Sequence, residues 1–120
     1  MDRVKDTEFE AKVRIANDVV GKIAAIAALE VDGVAAMGNN ITAEILGKVG
    51  VKNLLKTTKV EILGHDVKVE VIITVDYGYN IPSISQKVQA KVKQAIENMT
   101  ELNVTDVNVR IAGISLVKEG

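Results

Sequence analysis

His65, the only histidine in the chain, is the one side chain whose ordinary chemistry moves protons near neutral pH. A metal site or an acid–base pair built on it needs carboxylates converging from elsewhere. It stands in Gly64-His65-Asp66 between two segments of alternating hydrophobicity, where turn chemistry accounts for all three residues, and no site is assigned to it. Glu30, Asp32, Asp76 and Asp106 fall near the ends of expected elements, the ordinary place for carboxylates that cap and turn, and do not read as paired catalytic acids. The serines are Ser83, Ser85 and Ser115; none sits in a Gly-x-Ser-x-Gly elbow. The absence of cysteine excludes disulfides, thiolate nucleophiles and cysteine-ligated metals. These residues point away from an enzyme, and no cofactor is expected.

A sharper pattern is Gly47-Lys48-Val49-Gly50. It fails as a phosphate-binding P-loop, because Thr42 stands where that motif needs glycine and Val49 where Ser or Thr holds magnesium. A GxxG between short helical pieces is also how a KH domain clamps single-stranded RNA. Lys48, Lys52, Lys56 and Lys59 recur at spacings that would align them on one face of a continuous helix. Gly47, Lys48, Gly50, Lys52, Lys56 and Lys59 therefore form a candidate interaction surface. Solvated lysines on a core-packed helix are the competing explanation.

These residues must be positioned by a small set of elements. Val13 and Ile15 suggest a first short strand, followed by a helix from Asp18 to about Leu29 whose alanines permit close packing on a sheet. A short strand is expected in the segment from Glu30 to Met37, where Gly33 marks a bulge or tight approach. A shorter amphipathic segment is expected from Thr42 to about Lys56. Strands follow at Lys59 to Leu63 and Val67 to Asp76, joined as a hairpin through Gly64, His65 and Asp66. Pro82 opens the strongest helix, with Ile84, Val88, Val92, Ile96 and Met99 on one stripe. Asn103 to Val117 reads as the closing strand. The fold class is α+β: a small mixed or antiparallel sheet packed by two main helices, in the order β-α-β-(short α)-β-β-α-β.

The 120 residues have room for one domain, expected over 13–117, with a loose arm at 1–12 and a frayed tail at 118–120. Aromatic residues make up only 2% of the chain, so the core must be aliphatic. A net charge of −1 lacks the general basic footprint of a nucleic-acid binder. The charged segment Met1 to Lys12 is unlike a signal peptide, and the longest apolar run, Ile23 to Leu29, is too short to span a bilayer. A cytoplasmic protein is the expectation.

Several segments, taken in order, resemble the bacterial alkaline-shock-protein family. These are Val13-Arg14-Ile15-Ala16-Asn17-Asp18-Val19-Val20 with the Ala-rich helix, and Glu30-Val31-Asp32-Gly33-Val34-Ala35-Ala36-Met37. Further on come Val75-Asp76-Tyr77-Gly78-Tyr79-Asn80-Ile81, Val88-Gln89-Ala90-Lys91-Val92-Lys93, and Val104 to Ile114. The resemblance implies a small α+β domain without catalytic residues, in Gram-positive-type bacteria. It also implies association with envelope stress, cell-wall homeostasis and, in unanchored branches, regulation of fatty-acid synthesis. The partner it implies is a protein, either a membrane-anchored family member or a lipid-synthesis enzyme, with recruitment to the inner face of the membrane and self-association as further implications. The GxxG is not part of the family pattern, which ranks the RNA reading second.

Overall fold

A computed structural model describes residues 17–38, 41–42, 48 and 56–116. The expected strand at Val13 and Ile15, most of the Thr42 to Lys56 segment, the N-terminal arm and the tail lie outside the described residues.

Residues 17–29 form a helix, α1, whose Val20, Ala24, Ala25, Ala27 and Ala28 are buried. Strand β1 follows at Val34–Met37, then β2 at Thr58–Leu63, β3 at Asp66–Asp76, helix α2 at Ile81–Met99 and β4 at Asn103–Ser115. The expected order is reproduced wherever residues are described. The hairpin connection is tighter than expected: Leu63 pairs with Asp66, so only Gly64 and His65 turn and Asp66 already belongs to β3.

Strand β3 is the spine of the sheet. Its whole length pairs in parallel with β4, from Asp66–Asn103 to Asp76–Ser115. On its other edge β2 pairs antiparallel with residues Asp66 to Val71 and β1 antiparallel with Ile73 to Val75, so the two short strands lie end to end. The sheet is thus mixed. Alternation along β3 puts Val67, Val69, Val71, Ile73 and Val75 under the helices, all but inaccessible to solvent.

Helix α2 starts where the sequence demands. Asn80 is extended, its Oδ1 accepts the Ser83 N–H at 2.9 Å, and Pro82 sits in the first turn, where no helical N–H partner is lost. Ile84, Val88, Val92 and Ile96 are buried. Met99 departs from the expected stripe: it is 71% exposed, at the last helical residue, where the chain leaves for β4. Among the described residues the core is aliphatic, built of Val, Ala, Ile and Met, with Leu29 and Leu102 packed against its margin.

Gly33 makes the close approach its position suggested. Its φ is 100°, and a Cβ there would come within 2.6 Å of Ile84 Cδ1 and 2.7 Å of Tyr79 Cδ2. Its carbonyl accepts the Asp76 N–H at 2.7 Å, fastening the α1–β1 link to the end of β3. The register irregularity itself falls one step later, between Val34 and Ala36.

Candidate interaction surfaces

The helices cover one face of the sheet; on the other face Ala36 and Thr74 are buried at the β1 end, while the β2–β3–β4 end carries charged side chains. The two registers place Glu61, Lys68 and Asp106 in one row across β2, β3 and β4, and Lys59, Glu70 and Asn108 in the next. Arg110, beside Ile72 in the third row, reaches diagonally to Glu70 at 3.2 Å. Opposite charges facing across strands favour this register and keep the face wet. They are also too exposed to contribute much individually.

A different constellation holds the outer edge of β4. Glu97 Oε2 accepts the Val104 N–H at 2.9 Å, and Lys93 Nζ donates to the Val104 carbonyl and to Glu97, both at 3.1 Å. One turn earlier Gln89 Nε2 donates to the Val107 carbonyl at 3.0 Å. Side chains of α2 thus satisfy backbone groups of an edge strand that no described strand pairs. The Glu97 carboxyl is held below the ordinary glutamate value, first by the Val104 N–H and then by the Lys93 hydrogen bond, against a smaller opposing desolvation. Between α2 and this edge runs an open cleft of about 530 Å³, lined by Gln86, Gln89, Lys93 and residues Val104 to Asn108.

A third feature is apolar. Tyr77 and Tyr79 lie in the link from β3 to α2, Ile81 is the first residue of α2, Ile114 lies near the end of β4 and Leu116 follows it. All five are exposed, Leu116 by 71% and Tyr77 by 58%. They gather at one end of the sheet, because Val75 is in register with Ile114 and the Tyr77 N–H donates to the Ser115 carbonyl at 2.9 Å.

Of the lysine surface read from the sequence, Gly47, Gly50 and Lys52 lie outside the described residues. Lys48 and Lys56 are exposed. Lys59 stands on β2 opposite Glu70, so the four lysines do not share one helix face. His65 is exposed in its turn, its carbonyl accepting the Asn103 N–H at 2.6 Å. Glu30 pairs with Lys91 at 3.5 Å. Among the described residues no group of three or more His, Asp or Glu converges as a metal site would require. The Lys93–Glu97 pair was missed in the sequence, although its i, i+4 spacing is a legible signal.

The sequence matches a family model over most of its length. Residues 5–116 fit the alkaline-shock-protein 23 family, which is described as having a cell envelope-related function. The chain belongs to this family. It is 38% identical over 110 residues to the protein YqhY of Bacillus subtilis (strain 168), covering 92% of this chain and 81% of that one. Against YloU of the same organism it is 30% identical over 108 residues, covering 86% and 88%. A protein of Streptococcus pyogenes serotype M3 named a stress response regulator gls24 homolog is 28% identical over 97 residues, covering 80% of this chain but 54% of that one. Among solved structures, the zinc form of a MamM CTD variant superposes with a TM-score of 0.55 at 19% identity, covering 82% of this chain and 86% of that one. That likeness is one of fold alone. No helix among the described residues is long and apolar enough to cross a membrane.

Proposed function

We propose that this protein is a non-enzymatic cytoplasmic adaptor of the envelope stress response, acting by association with another protein in cell-wall homeostasis or the control of fatty-acid synthesis. The observation that carries the reading is the cluster of Tyr77, Tyr79, Ile81, Ile114 and Leu116. Large apolar side chains gathered at one exposed end of a small domain mark a docking surface more often than chance exposure. The family's cell envelope-related function and the regulator name of the streptococcal relative favour a regulatory role. The partner in this reading is a membrane-anchored family member or a lipid-synthesis enzyme, and it brings the protein to the inner face of the membrane.

Crosslinking and affinity capture from native bacterial cytosol tests this, with nuclease-treated and untreated arms. An Ile114→Ser/Leu116→Ser variant and a Lys48/Lys52/Lys56→Glu variant are carried alongside. The adaptor reading expects nuclease-resistant capture of envelope or lipid-synthesis proteins, lost in the apolar variant and kept in the lysine variant. Nuclease-sensitive capture lost only in the lysine variant overturns it in favour of RNA binding by the Gly47–Gly50 loop.

A further inference from the structure

The outer edge of β4 has a direction and a charge pattern that specify an occupant. Ile72 turns its backbone groups toward β1 and β2: its N–H donates to Thr57 and its carbonyl accepts from Gly38. Alternation then turns Val71 and Ile73 toward β4. In a parallel pair Val71 bonds to the neighbours of its partner Val109, so Asn108 and Arg110 face inward. Val107, Val109 and Ile111 present their N–H and C=O groups outward. The Gln89 bond to the Val107 carbonyl agrees with this assignment.

The side chains of this segment are self-complementary under a twofold axis. When the strand meets an antiparallel copy of itself about Asn108, Asp106 faces Arg110 of the copy and Arg110 faces Asp106. Asn108 meets Asn108, and Val107 meets Val109 on the helix side. The paired valines are those with outward backbone groups, so each pair exchanges both N–H···O bonds, while Asn108 falls at the close, non-hydrogen-bonded position. Charge alternation continues across the junction: Glu61, Lys68 and Asp106 of one copy are followed by Arg110 of the next. A register shifted to centre on Val109 would instead set Asp106 against Ala112.

We propose that β4 pairs antiparallel with β4 of a second copy of this chain, centred on Asn108, to give an isologous dimer with one continuous sheet. This does not depend on the adaptor reading. Among the described residues only Gln89 must release its bond. Lys93 and Glu97 remain on Val104, near the limit of the pairing. The contact lies at the small end of specific interfaces, so dissociation at roughly micromolar or higher concentration is expected.

The native chain has no cysteine, which makes disulfide trapping in the full-length protein a direct test. Antiparallel residues at a non-hydrogen-bonded position lie about 4.5 Å apart, within disulfide reach. Under mild oxidation Asn108→Cys is expected to form a covalent dimer at least tenfold faster than Asp106→Cys or Arg110→Cys alone. Those two variants, mixed, are expected to crosslink to each other. Val109→Pro removes an outward N–H from an edge strand, where proline is tolerated, and sedimentation velocity should show it monomeric with its circular dichroism unchanged. Arg110→Asp opposes like charges twice and should weaken dimerisation about fivefold or more. Equal trapping at all three positions, or a wild-type protein monomeric at high micromolar concentration, would overturn the proposal. The second outcome is also the one expected were the edge covered by the chain's own residues.

Discussion

Replacing Gly33 with alanine separates two costs that usually arrive together. The first is backbone: a φ of 100° is hostile to a Cβ, and left-handed conformations cost an L-residue about 1–2 kcal/mol. The second is packing, since the new methyl would meet Ile84 Cδ1 at 2.6 Å and Tyr79 Cδ2 at 2.7 Å, against an optimum of about 3.5–4.0 Å. Ile84 is buried, so the clash must be relieved by moving core atoms, at about 1–3 kcal/mol. Gly78 supplies the control, because its φ is 97° and nothing lies within 4 Å of a Cβ built there. The entropic gain from restricting the unfolded chain is common to both substitutions. Urea denaturation should therefore show Gly33→Ala losing about 2–5 kcal/mol and Gly78→Ala only about 1–2 kcal/mol. In an Ile84→Val background, which lacks the nearest clashing atom, part of the difference should disappear as a coupling of about 1 kcal/mol. Equal losses at the two glycines, or no coupling to Ile84, would refute the close-approach argument and leave only a backbone effect.

Asn80→Ala removes the oxygen that caps α2 and should cost about 1 kcal/mol in chemical denaturation, whereas Asn80→Asp should retain most of it. Ile73→Ala, at the fully buried centre of β3, should cost about 2–5 kcal/mol; a loss near zero would mean that the sheet is not the core. Glu97 has a folded-state pKa below its unfolded value, so its stabilising contribution is complete above about pH 4.3. That contribution disappears as pH falls through the lower folded-state value. Glu97→Gln should flatten the stability–pH curve on that acid side and raise hydrogen exchange at Val104, and an unchanged acid limb would deny the carboxylate its role.

The long elements were legible because each advertises its period. Val67, Val69, Val71, Ile73 and Val75 alternate without a break, and Ile84, Val88, Val92 and Ile96 repeat at helical spacing. Pro82 announces the start of α2, whereas the Asn80 cap was found only in the structure. Gly33 was readable as a bulge or tight approach, but what it approaches was not, since the crowding atoms come from Tyr79 and Ile84, distant in sequence. The direction of β4 could not be read: a strand following a helix can enter the sheet either way, and here β4 runs parallel to β3 while β1, which also follows a helix, runs antiparallel. The surfaces were least legible of all. Lysines at regular spacing drew notice, although the strand expected from Lys59 already took the last of them off a helix face. The apolar end cluster and the β4 edge arise only when Tyr77 is set beside Ser115 and Asp106 beside Lys68.

The edge and the apolar cluster, if both operate, make one device. Ile114 lies six residues beyond Asn108, about 20 Å at roughly 3.4 Å per residue. An antiparallel dimer would carry its two apolar clusters on opposite sides of the axis, about 40 Å apart. Two such clusters can engage two partner molecules at once where those are crowded on a membrane, and avidity then raises retention by up to about 10²–10⁴ without any new contact. This separates the two surfaces experimentally. Once a partner is captured, Val109→Pro should leave its affinity in dilute solution unchanged while dissociation from a densely coated vesicle accelerates about a hundredfold. Ile114→Ser/Leu116→Ser should weaken both. Equal retention of Val109→Pro and wild type on the dense surface would show that the clusters act singly, whatever the dimer does.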